Sequence, residues 1–398
     1  MAATIHAGRG EIGENHAAGM EYTAFYPYYA EFRALSELRK KPGIGVPLQS
    51  GIGGHALLYL NGVRRDGGPH RLRLADENPA EHGVGISVNA HYSNANWVGI
   101  EGRDFLQRGA LAPGEALTHE AYARTQAEAK ARGCLDGVAF HKSCFATKPA
   151  GMSDEDFKYE ISIATDYALQ FGRDAYCARI PLDAPRMQAV IDYLNEINIP
   201  YARGDRLYRW NVFNENCVHV ARNALAAANV WAPWHTGQWR MFAAFHFPVP
   251  KNALVDLLHR GNDLPLEDAE ALYEDKAARE SLLRHGTLPA TPGVLARTVP
   301  AIAHNEIYDV ERLRLIFYDN PVFGPYRFRF KRFFTSPAST NLAANLRHFA
   351  ARYARAAQAR QPRRMSRARA AFQAQYEAHI ARAAASTAEM LARLEGAV

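Results

Sequence analysis

Asn214-Glu215-Asn216-Cys217-Val218-His219-Val220-Ala221-Arg222-Asn223-Ala224-Leu225 is the stretch on which the reading of this chain turns. Asn216 has the side chain of a helix N-cap, and the residues after it predict a helix from Cys217 to about Ala228. That puts a cysteine in a first turn. Unpaired N–H groups and the helix dipole there favour thiolate over thiol. The thiolate is the attacking species in acyl transfer, and the same N–H groups can face a developing oxyanion. The competing reading is a cysteine that only packs at a helix start. The polar neighbours Asn214, Glu215 and Asn216 argue against a sealed core. His219 projects about 200° around the axis from Cys217, so packing or capping is its expected role.

Upstream, the pattern is that of strands. Ala56-Leu57-Leu58-Tyr59-Leu60 is an apolar run ending at Asn61-Gly62, a hairpin signal. Arg71-Leu72-Arg73-Leu74 alternates. Gly85 to Tyr92 alternates over its whole length, which sets Ser87, Asn89 and His91 on one face and Ile86, Val88, Ala90 and Tyr92 on the other. Trp97 to Ile100 continues the sheet, and Tyr176 to Ile180 supplies a further strand. Helices are expected over Ala30–Lys40, with Phe32, Leu35 and Leu38 on one face, and over Thr118–Arg132, capped by Thr118 and ended by Gly133. Another opens at Asp183-Ala184-Pro185 and runs to about Asn195. A polar aromatic connection follows from Tyr201 to Asn214. The fold class is therefore α+β.

The nucleophile segment resembles that of the circularly permuted branch of the NlpC/P60 superfamily, which includes lecithin retinol acyltransferase-like proteins and the periplasmic domain of the lipoprotein intramolecular transacylase. In those families a histidine on an early strand precedes the cysteine, the reverse of papain. Gly53-Gly54-His55-Ala56-Leu57-Leu58-Tyr59-Leu60 is similar to the histidine strand, and Gly85–Tyr92 to the strand that orients the imidazole. The resemblance spans roughly residues 50–235. It implies a papain-like antiparallel sheet with a nucleophile helix. Cys217 would attack a carbonyl, and His55 would take the thiol proton and return it to the leaving group. His91 or Asn89 would hold the imidazole, with His91 preferred. Asn216 would serve as cap and oxyanion support. Tyr201, Trp231 and Trp234 are candidate pocket residues. Trp231, Trp234, His235 and Trp239 could equally close the core. The implied chemistry is a cysteine hydrolase or acyltransferase acting on a peptide or lipid, with no cofactor and no metal.

Four cysteines in 398 residues do not make a disulfide framework, and the spacing of Cys134, His141, Cys144 and Cys177 is not a common zinc pattern. Met1 to Met20 has no apolar run, so a cytoplasmic protein, or one exported without a classical signal, is expected. The organisation reads as an extension over 1–45, the papain-like domain over 46–250, a mixed accessory region over 251–340 and a basic helical tail over 341–398. Net charge is +6, yet from Asn345 onward ten Arg face three Glu, so the tail alone is about +7 and the remainder near −1. Leu264–Arg284 reads as acidic helix, and Tyr326–Phe333, alternating basic and aromatic, as an amphipathic strand. The tail offers an anionic membrane or an acidic partner a surface, with nucleic acid ranked below them. That makes a catalytically silent binding protein the alternative function.

Overall fold

The computed structural model describes residues 2–6, 22–44, 46, 54–213, 215–234, 249–311, 313–318, 326–359 and 367–396. Gly53, Asn214, His235, Trp239 and Pro362 lie outside them. The chain is α+β. Its centre is a six-stranded, wholly antiparallel sheet. The members are β2 (Tyr29–Leu35), β3 (His55–Asn61), β6 (Gly83–Ser87), β7 (Val98–Glu101), β8 (Ala175–Pro181) and β9 (Leu295–Val299). Their order across the sheet is β7-β6-β3-β2-β8-β9. Two small ribbons flank it: β4 (Val63–Arg65) with β5 (Leu72–Leu74), and β1 (Ala2–His6) with β10 (Arg314–Tyr318).

The expected helix over Ala30–Lys40 is instead β2, the strand between β3 and β8. All seven of its residues are buried, so both faces are covered and helical spacing of Phe32 and Leu35 says nothing about it. Its polar residues are paired inside the protein. Glu31 accepts from Arg33 Nε (2.8 Å), from Arg179 Nε on β8 (2.7 Å) and pairs with Arg297 Nε on β9 (3.3 Å). Burial would raise the Glu31 pKa, but Arg297, Arg33 and Arg179 outweigh it and hold the carboxyl well below its ordinary range.

Asn61-Gly62 does not make a hairpin of β3 and β4. Both edges of β3 are taken by β2 and β6, so the chain turns at Gly62 (φ +82°) and β4 pairs with β5. The Gly85–Tyr92 alternation supplies a strand only to Ser87. Beyond it the chain leaves the sheet, and Tyr92 bridges to Phe140. Thr118 and Asn216 cap where expected, Thr118 accepting from Ala121 N–H and Asn216 from Val218 and His219 N–H, and at the Asp183-Ala184-Pro185 opening the cap is Asp183, accepting from Arg186 N–H. The helix after Asp183 runs to Ala202, so Tyr201 is in its last turn and not in a connection.

Helices cover one side of the sheet. Phe32 meets Trp231, and Tyr176 meets Phe330 and Phe334. Those last two belong to a helix, Tyr326–Thr335, where a strand was expected. Its Tyr326, Phe330 and Phe333 are buried at helical spacing, and Phe328 is left outside. On the other side Leu106 packs on Gly85, and the Arg103 guanidinium lies over Tyr29 and Tyr59.

A second apolar core joins Leu272 and Leu282 of the acidic helices to Phe349, Tyr353, Tyr376 and Ile380 of the tail. Arg355 pairs there with Glu267 (3.0 Å), and Arg369 with Glu270 (2.9 Å) and Glu274 (2.8 Å). The basic tail is thus docked on the acidic segment. Among the described residues no helix is long and apolar enough to cross a membrane.

Glu31→Gln leaves three arginines facing an uncharged amide, and should cost about 3–5 kcal/mol in urea denaturation. Because the folded pKa of Glu31 is depressed, its contribution is present above the ordinary carboxylate value of 4.5 and is lost as pH falls below it. Wild-type stability should therefore decline through that acid range more steeply than that of Glu31→Gln.

Candidate active site

Cys217 opens the helix Cys217–Ala227, and Asn216 caps it in extended conformation. The Asn216 side-chain Oδ1 accepts from Val218 N (2.9 Å) and His219 N (3.2 Å), and its Nδ2 donates to Val212 O (2.8 Å). The helix packs on β3. There the sheet leaves room for it. The β2–β3 ladder extends to Leu35↔His55, whereas the β3–β6 ladder begins only at Leu58↔Ile86. This end of β3 is free of β6, and there the Ala56 N–H acts on the Cys217 thiol and lowers its pKa.

Cys217 is 8% exposed. Burial pushes its thiol pKa up. The N–H groups of Ala56, Val218 and Cys217 itself, with Lys251, act the other way without overcoming it. The low-pKa thiol expected from the helix start alone is therefore not the resting condition, because desolvation outweighs the dipole.

His55 is the first residue of β3, half-buried, with Nε2 enclosed and lacking a hydrogen-bond partner among the described residues. Burial, then Arg173 and Lys251, lower its pKa to about 3. The imidazole is neutral near pH 7, so it supplies no cation to a thiolate.

The cation beside Cys217 is one that the sequence did not signal. Lys251 is the second residue of the helix Pro250–Asp263 and is 1% exposed. Its ammonium lies against the backbone of Gly54: a Cβ built there would be 1.6 Å from Nζ. Gly54 is also at φ +73°, so two separate constraints call for glycine immediately before His55. Burial and Arg173 lower the Lys251 pKa to about 7, while Cys217 and Glu37 pull it up. A lone lysine after Pro250 matches no motif, and only the packing of its helix on β2 brings it to this place.

Asn89 and His91 gather about Asp166. Asn89 donates to Asp166 (2.8 Å) and accepts from the His91 backbone N–H (3.0 Å), so both ends of its amide are engaged. Ser87 also donates to Asp166 (2.6 Å). Burial raises the Asp166 pKa against these donors. The His91 ring stacks on Phe140 and is held below its ordinary pKa by burial, with Asp166 pulling it up and His141 down. The two residues do not share a strand face, because β6 has already ended.

Trp231 is buried against Phe32, and the Arg222 guanidinium lies between the Trp231 and Trp234 rings (4.7 and 4.6 Å). His219 packs edge-on to Trp234. The Tyr201 hydroxyl donates to Glu215, which Arg206 also engages (2.9 Å). Tyr208, fully buried, meets the Tyr201 ring and feels the charge of Cys217. All four cysteines are free thiols, and among the described residues no three His, Cys, Asp or Glu side chains gather as a metal site.

Comparison of the chain with protein-family models, with curated proteins and with solved structures finds no match.

Asn216→Ala removes the acceptor for two helix N–H groups. It should cost about 1 kcal/mol in urea denaturation, and more than an alanine at the exposed Glu196 position.

Proposed function

We propose that this protein is a cysteine-dependent hydrolase or acyltransferase that passes an acyl group through a thioester at Cys217. The observation that carries the reading is the sulfur's position. It is at the first turn of a helix, faced by the Ala56 N–H from the sheet and by the helix's own N–H groups. A thiolate there attacks an amide or ester carbonyl. The C–S bond forms, the C–N or C–O bond breaks, and the departing amine or alcohol leaves with a proton. Water or a second nucleophile then takes the acyl group. Backbone N–H groups aimed at this point are suited to the oxyanion of the tetrahedral intermediate. Neutral His55, one residue from the Ala56 N–H, is a hydrogen-bonding group for the leaving atom.

The order of elements supports a permuted NlpC/P60-like, papain-like arrangement. The histidine strand comes first, the cysteine helix comes later, and the helix packs on that strand. Peptide and lipid acyl compounds are the substrate classes this implies.

The test is acyl trapping. An activated ester should leave a hydroxylamine-labile acyl adduct on the Cys217 peptide, read by mass. Cys217→Ala should abolish adduct and turnover, and His55→Ala, which removes one hydrogen bond to the leaving atom, should reduce turnover about tenfold. Turnover that persists unchanged in Cys217→Ala would rule the proposal out.

A further inference from the structure

We infer that Lys251, rather than His55, accepts the thiol proton of Cys217 and holds the resulting thiolate. The inference rests on Cys217 being the nucleophile and names the group that activates it.

Three observations converge. Lys251 is almost fully buried in the body of the protein and acts electrostatically on Cys217. A buried amine is a common origin of a lysine that works as a base near neutral pH. Its Nζ is pressed against Gly54, at the His55 end of the β2–β3 pair, which is also the end where the Ala56 N–H meets the sulfur. Cys217 and Lys251 are thus first-turn residues of two helices, one packed on β3 and the other on the neighbouring β2. Among the described residues the charged or titratable groups acting on Lys251 include Arg173 ahead of β8, Glu37 after β2, His55 on β3, and Cys217. Arg173 disfavours the ammonium, and Cys217 as a thiolate favours it. With a Lys251 pKa of about 7 and a His55 pKa of about 3, the lysine is by far the better proton acceptor.

The step balances. The S–H bond of Cys217 breaks as an N–H bond forms on the neutral Lys251 amine, giving a thiolate–ammonium pair. When the thioester has formed, the ammonium proton goes to the departing nitrogen or oxygen and the amine is restored.

The experiment measures the rate of Cys217 alkylation by iodoacetamide against pH in the full-length chain, located by peptide mass. Lys251→Met should move the midpoint up by about one pH unit or more, so that alkylation at pH 7 slows about tenfold. The melting temperature of each variant is measured beside its alkylation profile, and profiles are compared only between variants that unfold cooperatively. Lys251→Arg supplies a cation that does not release its proton. It should keep alkylation at pH 7 while turnover of the activated ester falls about tenfold or more. His55→Gln should shift the alkylation midpoint less than Lys251→Met. An alkylation profile unchanged in Lys251→Met overturns the inference, and an acyl adduct that still forms would leave the cysteine mechanism standing. A Lys251-dependent profile with no acyl adduct on any ester would do the reverse. A native Cys217 that stays unalkylated at every pH overturns both.

Discussion

One buried carboxylate organises the sheet. Glu31 is enclosed between β2, β8 and β9, and each of these strands supplies an arginine to it. Removing such charges from water costs several kcal/mol per ion, and the cluster recovers this only in one geometry. A slip of β8 or β9 by one residue would turn Arg179 or Arg297 to the opposite face and strand Glu31 without a partner. The cluster therefore fixes register as much as it stabilises. On its other edge β2 carries β3, with Leu35 opposite His55, and β3 projects beyond β6. The place where sulfur, Ala56 N–H and Lys251 meet follows from this alignment.

Charge complementarity explains the rest of the architecture. A chain of +6 with its excess gathered in the last 54 residues looks built for an anionic partner. In the folded chain several of those arginines pair with Glu267, Glu270 and Glu274, and the tyrosines and phenylalanines between them close a core with Leu272 and Leu282. Exposed pairs of this kind contribute little singly. The apolar contacts hold the tail, and the ion pairs select where it docks.

Local chemistry was legible in the sequence, and tertiary chemistry was not. The caps at Thr118, Asp183 and Asn216 were readable because capping involves residues only two or three apart. The α+β class followed from the alternation of strands and helices. β2 was misread because Phe32, Leu35 and Leu38 fall at helical spacing, and Arg179 and Arg297, which pair with Glu31 inside the protein, lie far along the chain. Tyr326–Thr335 satisfies both periods, since its aromatic residues fall at alternate positions and also at i, i+4 and i+7. Packing against Tyr176 and Phe317 chose the helix. Asn89 and His91 were placed by extending an alternation past the true end of β6. Cys217 and His55 stood out by residue type and order. Lys251 did not, because nothing local distinguishes a lysine that a distant strand will enclose.

The donor that the sheet offers to Cys217 belongs to the main chain. Any residue except proline at position 56 would supply it. This half of the site is thus recorded in the lengths of two strands, where β6 stops and β3 continues, and leaves no mark on side-chain identity. Gly54 and Lys251 are bound to each other differently, since a methyl group at one occupies the space of the ammonium at the other. As the sequence drifts, the donor at position 56 survives every exchange that the packing of this buried residue admits, whereas 54 and 251 must change together or remain.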